Sequence, residues 1–479
     1  MMASSPRVVY ACFFFYILLL SSTEGKDEAG EARHFHTVQV ASLFPSDSCE
    51  ATPTEFKEDS VLKVVHRHGP CSGNSKEVVA TPEELLLEDE ARVTRMQKQL
   101  DRSKMASDST SAGGLETSAA VIPANYGLSL GTGNYVVQVG LGTPVRRLSL
   151  VFDTGSGLTW TQCQPCSRQC YVQKDPIFSP AQSASYANVS CTSPACSSLK
   201  AETGLGPSCS VTGKACVYGI AYGDNSFSVG YLASDKLTVS QSDVFGNYYF
   251  GCGQNNHGLY GQVAGLLGLA TGPLSFISQT ASKYNKLFAY CIPSSSSTTG
   301  YLAFGSPGFA STPVVYTPIS ASSPSSLYGI DIFSIAVGGE TLPIPQTAFR
   351  SSRVIIDSGT VISRLPPAVY SALRDAFKRG MTMYPAAPAL TILDTCFDLR
   401  RYTTVSIPTI SFTFAGGATV KVAAKGILFS PRLSQVCLAF ASRRSASEIA
   451  IIGNFQQKTL EVVYDVGGRR IGFASGACS

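Results

Sequence analysis

Two copies of one short motif carry the residues best suited to chemistry. Residues 149–155 read SLVFDTG and residues 353–359 read RVIIDSG, so each copy has an apolar strand followed by Asp, a hydroxyl residue and Gly. An apolar pair and a glycine follow each copy, and these glycines, Gly268 and Gly453, lie 115 and 96 residues after the aspartates. Two related halves that meet at an axis would place Asp153 and Asp357 face to face.

Two neighbouring carboxylates of this kind can add water to a peptide bond. Both cannot ionise together at close range, so they share one proton and their apparent pKa values separate. The ionised carboxylate takes a proton from a bound water while the protonated one donates to the carbonyl oxygen, and no covalent intermediate with the protein forms. The sequence leaves open which aspartate holds the proton.

The three residues after each aspartate have types that can support such a pair. A small hydroxyl residue can brace the opposite loop, a glycine lets backbone N–H groups approach the carboxylates, and a second hydroxyl residue can donate to them. In the first copy these residues are Thr154, Gly155 and Ser156, and in the second they are Ser358, Gly359 and Thr360.

The start of the chain is typical of a secreted precursor. Arg7 precedes an apolar run over residues 8–20, which is too short to span a bilayer but has the length of a signal-peptide core. Small residues follow, so residues 1–25 are predicted to be a signal peptide cleaved near Gly25, with an uncleaved anchor as the alternative. Residues 26–120 read as a pro-segment, and its residues 103–120 read as a polar linker suited to processing.

Elements of this pro-segment and of the remaining chain are also indicated by the sequence. A strand is predicted within 62–71 and a capped helix from Thr81 onwards. Beyond residue 121 short strands are punctuated by Gly, Pro, Asn and Asp, and the clearest helix covers 367–380. The predicted fold class is therefore all-β with small helices.

Composition and charge exclude several classes of protein. With 44% apolar and 15% charged residues, the chain is neither disordered nor a coiled coil. Residues 1–120 have a net charge of −6 and residues 121–479 a net charge of +10, but the basic residues are scattered, which disfavours nucleic-acid binding. Charge attraction is expected to help the pro-segment dock at neutral pH, and acid is expected to weaken it.

Cysteine and histidine counts restrict the remaining chemistry. Twelve of the fifteen cysteines follow residue 162, which in a secreted chain predicts disulfides in preference to zinc. His257 is the only histidine after residue 120, so a Ser-His or Cys-His nucleophile would depend on that one ring in a loop-like segment.

From about residue 130 onwards the chain resembles the pepsin-like aspartic proteases, in particular their nepenthesin-type plant branch. The motifs are DTGSGLTW, YGDNSFSVG, GLLGL, DSGT, DTCFDL, QVCLAF and IIGNFQQ. The resemblance implies a double β-barrel with its cleft between lobes 121–315 and 316–479, a cysteine-rich insertion at about 163–216, and Asp153 and Asp357 as the catalytic dyad.

The resemblance further implies that Tyr222 closes a flap over the substrate, with Trp160 as its hydrogen-bonding neighbour. Substrate contacts would come from Tyr222, Gly223, Trp160, Gly155, Gly359 and Thr360. No metal or organic cofactor is expected. The expected partners are protein or peptide substrates and the chain's own pro-segment, in a monomer secreted to the plant apoplast rather than sent to a vacuole or plastid.

A disulfide pairing carried over from the same family completes the expectations. The pairs are Cys163–Cys166, Cys170–Cys252, Cys191–Cys216, Cys196–Cys209, Cys291–Cys478 and Cys396–Cys437. The insertion also contains the sequon Asn188-Val189-Ser190, a plausible glycosylation site.

Gly157 departs from the family pattern, which commonly has Ser or Asp there; a glycine makes the loop more flexible, and the sequence leaves open whether this alters rate or substrate preference. Two alternatives stay open. One is a catalytically inactive binding protein, since inhibitors of microbial glycosidases share this fold. The other is a plastid protease associated with nucleic acid, which the short apolar N-terminus disfavours.

Overall fold

The computed structural model describes most of the chain after its first 33 residues. The described residues are 34–44, 46–50, 60–67, 69–72, 81–108, 135–221, 227–257, 262–306, 308–322, 326–350 and 353–476. The predicted signal peptide, residues 109–120 of the predicted linker, Tyr222, Gly223 and Cys478 lie outside these ranges. None of the helices within them is long and apolar enough to cross a membrane.

Helices are few and mostly short in the described ranges. They are α1 (Pro82–Asp108), α2 (Pro194–Thr203), α3 (Phe276–Gln279), α4 (Ala281–Tyr284), α5 (Gln346–Arg350), α6 (Pro367–Gly380) and α7 (Ala424–Ile427).

Strands make up most of the regular structure, as predicted. Those before residue 310 are β1 (Phe35–Gln39), β2 (Val61–His66), β3 (Tyr135–Leu141), β4 (Arg146–Asp153), β5 (Trp160–Gln162), β6 (Ala187–Asn188), β7 (Ser208–Cys209), β8 (Cys216–Ala221), β9 (Phe227–Thr238), β10 (Val244–His257), β11 (Gly265–Gly268), β12 (Leu287–Cys291) and β13 (Thr299–Phe304). Those after it are β14 (Val315–Pro318), β15 (Gly329–Ile330), β16 (Ile332–Val337), β17 (Glu340–Thr341), β18 (Val354–Ile356), β19 (Ser363–Leu365), β20 (Ala386–Ala387), β21 (Cys396–Phe397), β22 (Thr404–Pro408), β23 (Ile410–Phe414), β24 (Thr419–Lys421), β25 (Leu428–Arg432), β26 (Gln435–Leu438), β27 (Phe440–Ser442), β28 (Ala450–Ile452), β29 (Leu460–Asp465) and β30 (Arg470–Ser475).

One large sheet connects the two halves of the molecule. It has fifteen strands in the order β14-β30-β29-β12-β13-β2-β3-β4-β11-β5-β10-β9-β8-β7, with β6 paired to β9. Five-stranded (β15-β18-β28-β19-β27) and four-stranded (β17-β16-β23-β24 and β20-β21-β26-β25) sheets complete the second half. The apolar side chains of these strands pack into a shared core. The predicted all-β class with two lobes is confirmed.

The repeated motif forms the same local unit in each half. Strand β4 ends at Asp153, and β11 runs parallel to it with Gly268 opposite the aspartate. Strand β18 ends one residue before Asp357, and β28 runs parallel to it with Ile452 opposite Ile356. Both strand pairs are buried where they lead into the aspartates, which explains why residues 150–152 and 354–356 are apolar.

The N-terminal segment, defined here as described residues 34–108, is built into both halves. Strand β2 lies between β13 and β3 of the large sheet, and β1 pairs with β22 in the second half. Helix α1 starts with the capping box that its sequence predicts, because Thr81 and Glu84 exchange backbone-to-side-chain hydrogen bonds of 2.7 and 3.2 Å. The helix predicted over 367–380 is α6, whose Val369, Leu373 and Phe377 are buried at helical spacing.

Most of the disulfide pairing carried over from the family is wrong. The structure pairs Cys163–Cys252, Cys166–Cys170, Cys191–Cys209, Cys196–Cys216 and Cys49–Cys71, and it agrees with the expectation at Cys396–Cys437. Cys291 is disulfide-bonded, but its expected partner Cys478 lies outside the described residues.

Strand geometry explains the difference. Strands β5 and β10 run parallel with Thr161 opposite Cys252, so Cys163, just beyond β5, lies 5.4 Å from Cys252 between Cα atoms. Helix α2 places Cys196 in the core against Cys216, with both side chains at most 1% exposed. The spacing of the cysteines along the chain does not reveal how β5 pairs with β10 or which way helix α2 faces.

Candidate active site

The two Asp-Ser/Thr-Gly loops meet at the junction of the halves. Asp153 and Asp357 are both fully buried. Thr154 and Ser358 brace the loops across the junction, because the Thr154 N–H donates to Ser358 Oγ at 3.1 Å and the Ser358 N–H donates to Thr154 Oγ1 at 2.8 Å. This reciprocal pair fixes one loop against the other with approximate two-fold symmetry.

Each carboxylate receives the same two local hydrogen bonds. Oδ1 of Asp153 accepts from the Gly155 N–H at 2.9 Å, and its Oδ2 accepts from Ser156 Oγ at 2.5 Å. In the second half, Oδ1 of Asp357 accepts from the Gly359 N–H at 3.0 Å and its Oδ2 accepts from Thr360 Oγ1 at 2.6 Å. The structure therefore places these residues in the supporting positions that the sequence suggests.

The glycines are required by the close approach of the two loops. A Cβ atom on Gly155 would lie 2.7 Å from Oδ1 of Asp357, and one on Gly359 would lie 2.4 Å from Oδ1 of Asp153. Either substitution would displace the facing carboxylate or the Arg92 guanidinium, which lies equally close, because a real Cβ does not approach these atoms so closely. Each glycine thus faces the aspartate of the other half.

Arg92 of helix α1 spans both aspartates. Its guanidinium donates to Asp153 from Nη2 to Oδ1 at 2.7 Å and from Nη1 to Oδ2 at 3.1 Å, a bidentate arrangement. It also donates to Asp357, from Nη2 to Oδ2 at 3.0 Å and from Nε to the same oxygen at 3.3 Å. The Arg92 side chain is itself buried, so the cation fills the space between the carboxylates.

The electrostatics of the site separate the two aspartates. Burial raises the pKa of Asp153, but the Arg92 guanidinium and the hydrogen bonds from Ser156 and Gly155 outweigh it and hold that pKa below its usual range. Burial also raises the pKa of Asp357, and there the negative charge of Asp153 adds to burial, so the pKa stays above its usual range despite Arg92. The two pKa values are therefore driven apart, and the pair takes up one proton before the other as the pH falls.

Neighbouring residues of α1 anchor the helix to the second half. Asp89 accepts hydrogen bonds from the N–H groups of Val361 and Ile362, at 2.5 and 3.0 Å, and pairs with Arg364 at 2.9 Å. The side chains of Asp89 and Arg364 are at most 1% exposed. This buried anchor, one helical turn from Arg92, holds the guanidinium in register with the aspartates.

Further contacts extend along the helix in both directions. Glu90 pairs with Arg364 at 3.2 Å and with Arg444 at 3.0 Å. Gln97 exchanges hydrogen bonds of 2.7 and 2.8 Å with the backbone of Ile449. The acidic side chains of Glu83, Asp89 and Glu90 thus pair with arginines of the basic second half, as the charge division suggests.

The remaining residues singled out by the sequence lie apart from this cluster or outside the described ranges. Trp160 is fully buried in β5 within the core of the first half. Tyr222 and Gly223 fall between β8 and β9 and are not among the described residues. Asn188 is exposed on β6, where the Tyr186 hydroxyl donates to it at 2.7 Å.

His257 contacts an amide side chain and an aromatic ring of the first half. It ends strand β10 instead of lying in a loop, its Nδ1 lies 2.9 Å from Nε2 of Gln169, and its ring stacks on Phe227. No group of three or more His, Cys, Asp and Glu side chains in the described part of the chain is arranged to hold a metal ion.

Sequence reasoning missed Arg92 as a site residue. The helix itself was predicted, but Arg92 is one of several cations on it, and nothing in the local sequence distinguishes the one that faces the aspartates. Only the packing of α1 across the junction, set by Asp89 and Gln97, determines which side chain enters.

The fold and the site define a pepsin-like architecture, in which two β-lobes each contribute one loop-borne aspartate to a shared pair. Comparison with known proteins agrees with this class. The Xylanase inhibitor N-terminal family matches residues 135–306, and the Xylanase inhibitor C-terminal family matches residues 327–475. The chain belongs to the plant pepsin-like aspartic proteases.

Several relatives support this assignment. An aspartyl protease family protein of Arabidopsis thaliana is 54% identical over 449 residues, covering 93% of each chain. The aspartyl protease AED1 of the same plant is 46% identical over 455 residues, covering 95% of this chain and 94% of that protein. Nepenthesin-2 of Nepenthes gracilis is 36% identical over 362 residues, covering 73% of this chain and 78% of that protein.

Two solved structures share the fold. The crystal structure of edgp has a TM-score of 0.55 at 19% identity and covers 71% of this chain and 91% of its own. That of Basic 7S globulin from soybean has a TM-score of 0.56 at 18% identity and covers 72% of this chain and 91% of its own. At this identity the likeness concerns the fold alone.

Proposed function

We propose that this protein is a secreted aspartic endopeptidase, made as a zymogen, that hydrolyses peptide bonds at acid pH. The observation that carries the proposal is the completeness of the paired site. Asp153 and Asp357 are buried together, and each has its own glycine N–H and hydroxyl donor. A chain that had lost catalysis would be under no constraint to keep both sets of hydrogen-bond donors.

The proposed mechanism follows from the separation of the two carboxylates. Between their two apparent pKa values the dyad carries one proton and one charge. The ionised aspartate removes a proton from a water molecule held between the carboxylates, and that water attacks the carbonyl carbon of the substrate. The protonated aspartate donates to the carbonyl oxygen, and the resulting tetrahedral species breaks down by transfer of a proton to the leaving nitrogen.

The N-terminal segment is the proposed inhibitor of this activity. Arg92 occupies the position between Asp153 and Asp357 where water and substrate would lie, and strand β2 holds the segment within the large sheet. Acid reverses the docking, because protonation of one aspartate leaves Arg92 facing a single negative charge. The same proton places the dyad in its working state, so release and activation coincide.

Secretion and processing complete the proposal and rest on the sequence. The apolar run at residues 8–20 supports a signal peptide. The predicted linker begins at residue 103, but residues 103–108 are the end of helix α1, so the polar residues 109–120 that follow the helix are the proposed cleavage region. Disulfides in the described chain fit an oxidising compartment such as the apoplast. The exposed Asn188 is the proposed glycosylation site.

The test uses the full secreted chain, purified at neutral pH and then acidified. Incubation with a denatured protein between about pH 3 and pH 7 is expected to give cleavage only on the acid side, preceded by loss of the N-terminal segment, and pepstatin is expected to block it. Cleavage that resists pepstatin, or that is fastest at neutral pH, would contradict the proposal.

The alternative is a pepsin-fold protein that binds without cleaving. It is favoured by the description of both matching families, which are named for xylanase inhibitors. Absence of cleavage at every pH, by a chain whose N-terminal segment has been removed and whose fold is intact, would support this alternative over the protease.

A further inference from the structure

Gly157 lies in the loop that carries Asp153, and the structure explains why a glycine is tolerated there. Its backbone φ is not in the left-handed region that favours glycine, so backbone conformation permits any residue. Space does not. A Cβ atom on Gly157 would lie 1.6 Å from Oε2 of Glu202, and the atoms nearest to it all belong to that carboxyl group.

Glu202 enters this space from helix α2 of the cysteine-rich insertion. It is 9% exposed, and its Oε1 accepts a hydrogen bond of 2.7 Å from the Leu274 N–H. Its Oε2, the oxygen facing Gly157, has no hydrogen-bond partner. The carboxyl also touches Gly272, where a Cβ atom would lie 2.3 Å from both oxygens. Two glycines on two loops therefore leave room for one carboxyl group.

The loop that carries Gly157 and the loop that carries Gly272 are joined by backbone hydrogen bonds beside Asp153. The Ala270 N–H donates to the Ser156 carbonyl at 3.0 Å, and the Leu269 N–H donates to the Asp153 carbonyl at 2.9 Å. Ser156 in turn donates from its hydroxyl to Asp153 Oδ2. A group wedged between residue 157 and residues 272–274 therefore lies directly beside the segment that carries the Ser156 hydroxyl.

We propose that Glu202 is a positioning residue of the Asp153 loop, and that it supplies from helix α2 the side chain that Gly157 lacks. The loop is then not loosened by its glycine, in contrast to the flexibility expected from the sequence. Positions 157 and 202 share one volume, so a side chain at 157 requires the Glu202 carboxyl to leave its place and its hydrogen bond with Leu274, or a smaller residue at 202. The catalytic part of this inference rests on the proposed protease function, but the shared volume does not.

Helix α2 is held firmly enough for this role. Its Cys196 is bonded to Cys216 at the start of β8, and its Leu199 is fully buried with Trp160 in the core of the first half. The titratable neighbour of Glu202 is Tyr248 of β10, whose pKa burial raises, so it is neutral across the acid and neutral range. Burial likewise raises the pKa of Glu202 to about 7, so the carboxyl is neutral at acid pH.

The test is a double-mutant cycle of Gly157→Asp and Glu202→Ala, measured on the melting temperature of the full chain and on kcat and KM after acid activation. Gly157→Asp alone is expected to lower the melting temperature by several degrees and kcat by at least tenfold, because its side chain meets the Glu202 carboxyl. Adding Glu202→Ala is expected to recover most of both losses. Gly206→Ala, in the same insertion with open space around it, is the matched control and should change neither.

Further readouts separate positioning from general stability. Glu202→Ala alone is expected to lower kcat more than it raises KM, and to move the acid limb of the pH profile upwards, because a displaced Ser156 no longer holds the pKa of Asp153 down. Glu202→Gln, which keeps the volume and the acceptor, should retain kcat. Equal losses in the single and double Gly157 variants would overturn the proposal. An inactive wild-type chain that still shows the recovery in melting temperature would overturn the protease function and leave the shared volume standing.

Discussion

Arg92 donates two hydrogen bonds, of 2.7 and 3.1 Å, to the carboxylate of Asp153, which lies 61 residues later in the chain. Both side chains are buried, and neither charge would be stable there without the other. The same guanidinium reaches the aspartate of the second half, so one cation closes the junction of the two lobes. The proposed inhibition and the proposed catalysis therefore involve the same pair of carboxylates.

Replacing Arg92 by Ala is expected to weaken the hold of the N-terminal segment. Breaking a buried, hydrogen-bonded charge pair costs roughly 3–5 kcal/mol, and the bare aspartates would also repel each other. Processing at pH 6 should then be faster than in the wild type by at least about tenfold. The measurement is a time course of segment loss on denaturing gels.

Lys98→Ala is the matched control, because Lys98 lies on the exposed side of the same helix. It removes one cation without touching the aspartates and should process at the wild-type rate. If both variants accelerate equally, the loss of helix charge in general, and not the Arg92 contact, would account for the effect.

The anchors of α1 differ in burial, and this difference predicts unequal effects. Asp89→Ala should destabilise the full chain by about 3 kcal/mol or more, because it removes the buried carboxylate that pairs with Arg364 and accepts from two backbone N–H groups, and it leaves Arg364 with only the partly exposed Glu90. Glu83→Ala removes an exposed pair with Arg432, 3.1 Å long, and should change stability by less than about 1 kcal/mol. Urea unfolding of the two variants at neutral pH measures both values, and equal effects would contradict the burial argument.

The position of the aspartates was predictable because the motif occurs twice. Each aspartate strand has a parallel neighbour that contains the apolar pair before Gly268 or Gly453. Both apolar pairs can be recognised in the sequence. The bracing of Thr154 against Ser358 likewise follows from residue type. These features depend on local sequence and on the repeat between the two halves, and both can be recognised in one sequence.

Features set by long-range packing were not predictable. Arg92 enters the site because Asp89 and Gln97 fix the helix on the second half, and no local pattern records that docking. From the sequence, Gly157 indicates a more flexible loop. In the structure, Glu202, 45 residues later, fills the space beside it. Side chains that meet through tertiary contacts leave no periodicity in the sequence.

The disulfide framework provides a chemical test of the first half of the fold. Peptide mapping of the non-reduced protein is expected to yield linked peptides for Cys163–Cys252, Cys166–Cys170, Cys191–Cys209 and Cys196–Cys216. Digestion must cut between Cys191 and Cys196, so that their pairings are resolved. Recovery of a Cys163–Cys166 peptide would show that the register of β5 against β10 is not the one described.

Glu202 makes stability depend on pH in a defined direction. Its pKa in the folded chain is raised to about 7 by burial, so the folded state favours the neutral carboxyl. The contribution of Glu202 to stability is therefore greatest below its unfolded pKa near 4.3 and decreases as the pH rises towards 7, by up to about 3 kcal/mol. Glu202→Gln should remove this part of the dependence.

Urea unfolding of wild type and Glu202→Gln at pH 4.5 and pH 8 measures that difference. The two proteins should differ more at pH 8 than at pH 4.5, with the variant the more stable at the higher pH. A constant difference at both values would show that Glu202 does not change its charge over this range.

The dyad itself is tested most directly by turnover in the variants Asp153→Asn and Asp357→Asn, each activated by acid or by removal of the N-terminal segment. Each amide is close in shape to the aspartate, so the fold and its melting temperature should be kept, whereas the shared proton and the single charge are lost. Turnover of a denatured protein substrate is expected to fall by roughly three orders of magnitude or more in each variant. More than a few per cent of wild-type turnover in either one would contradict the two-aspartate mechanism.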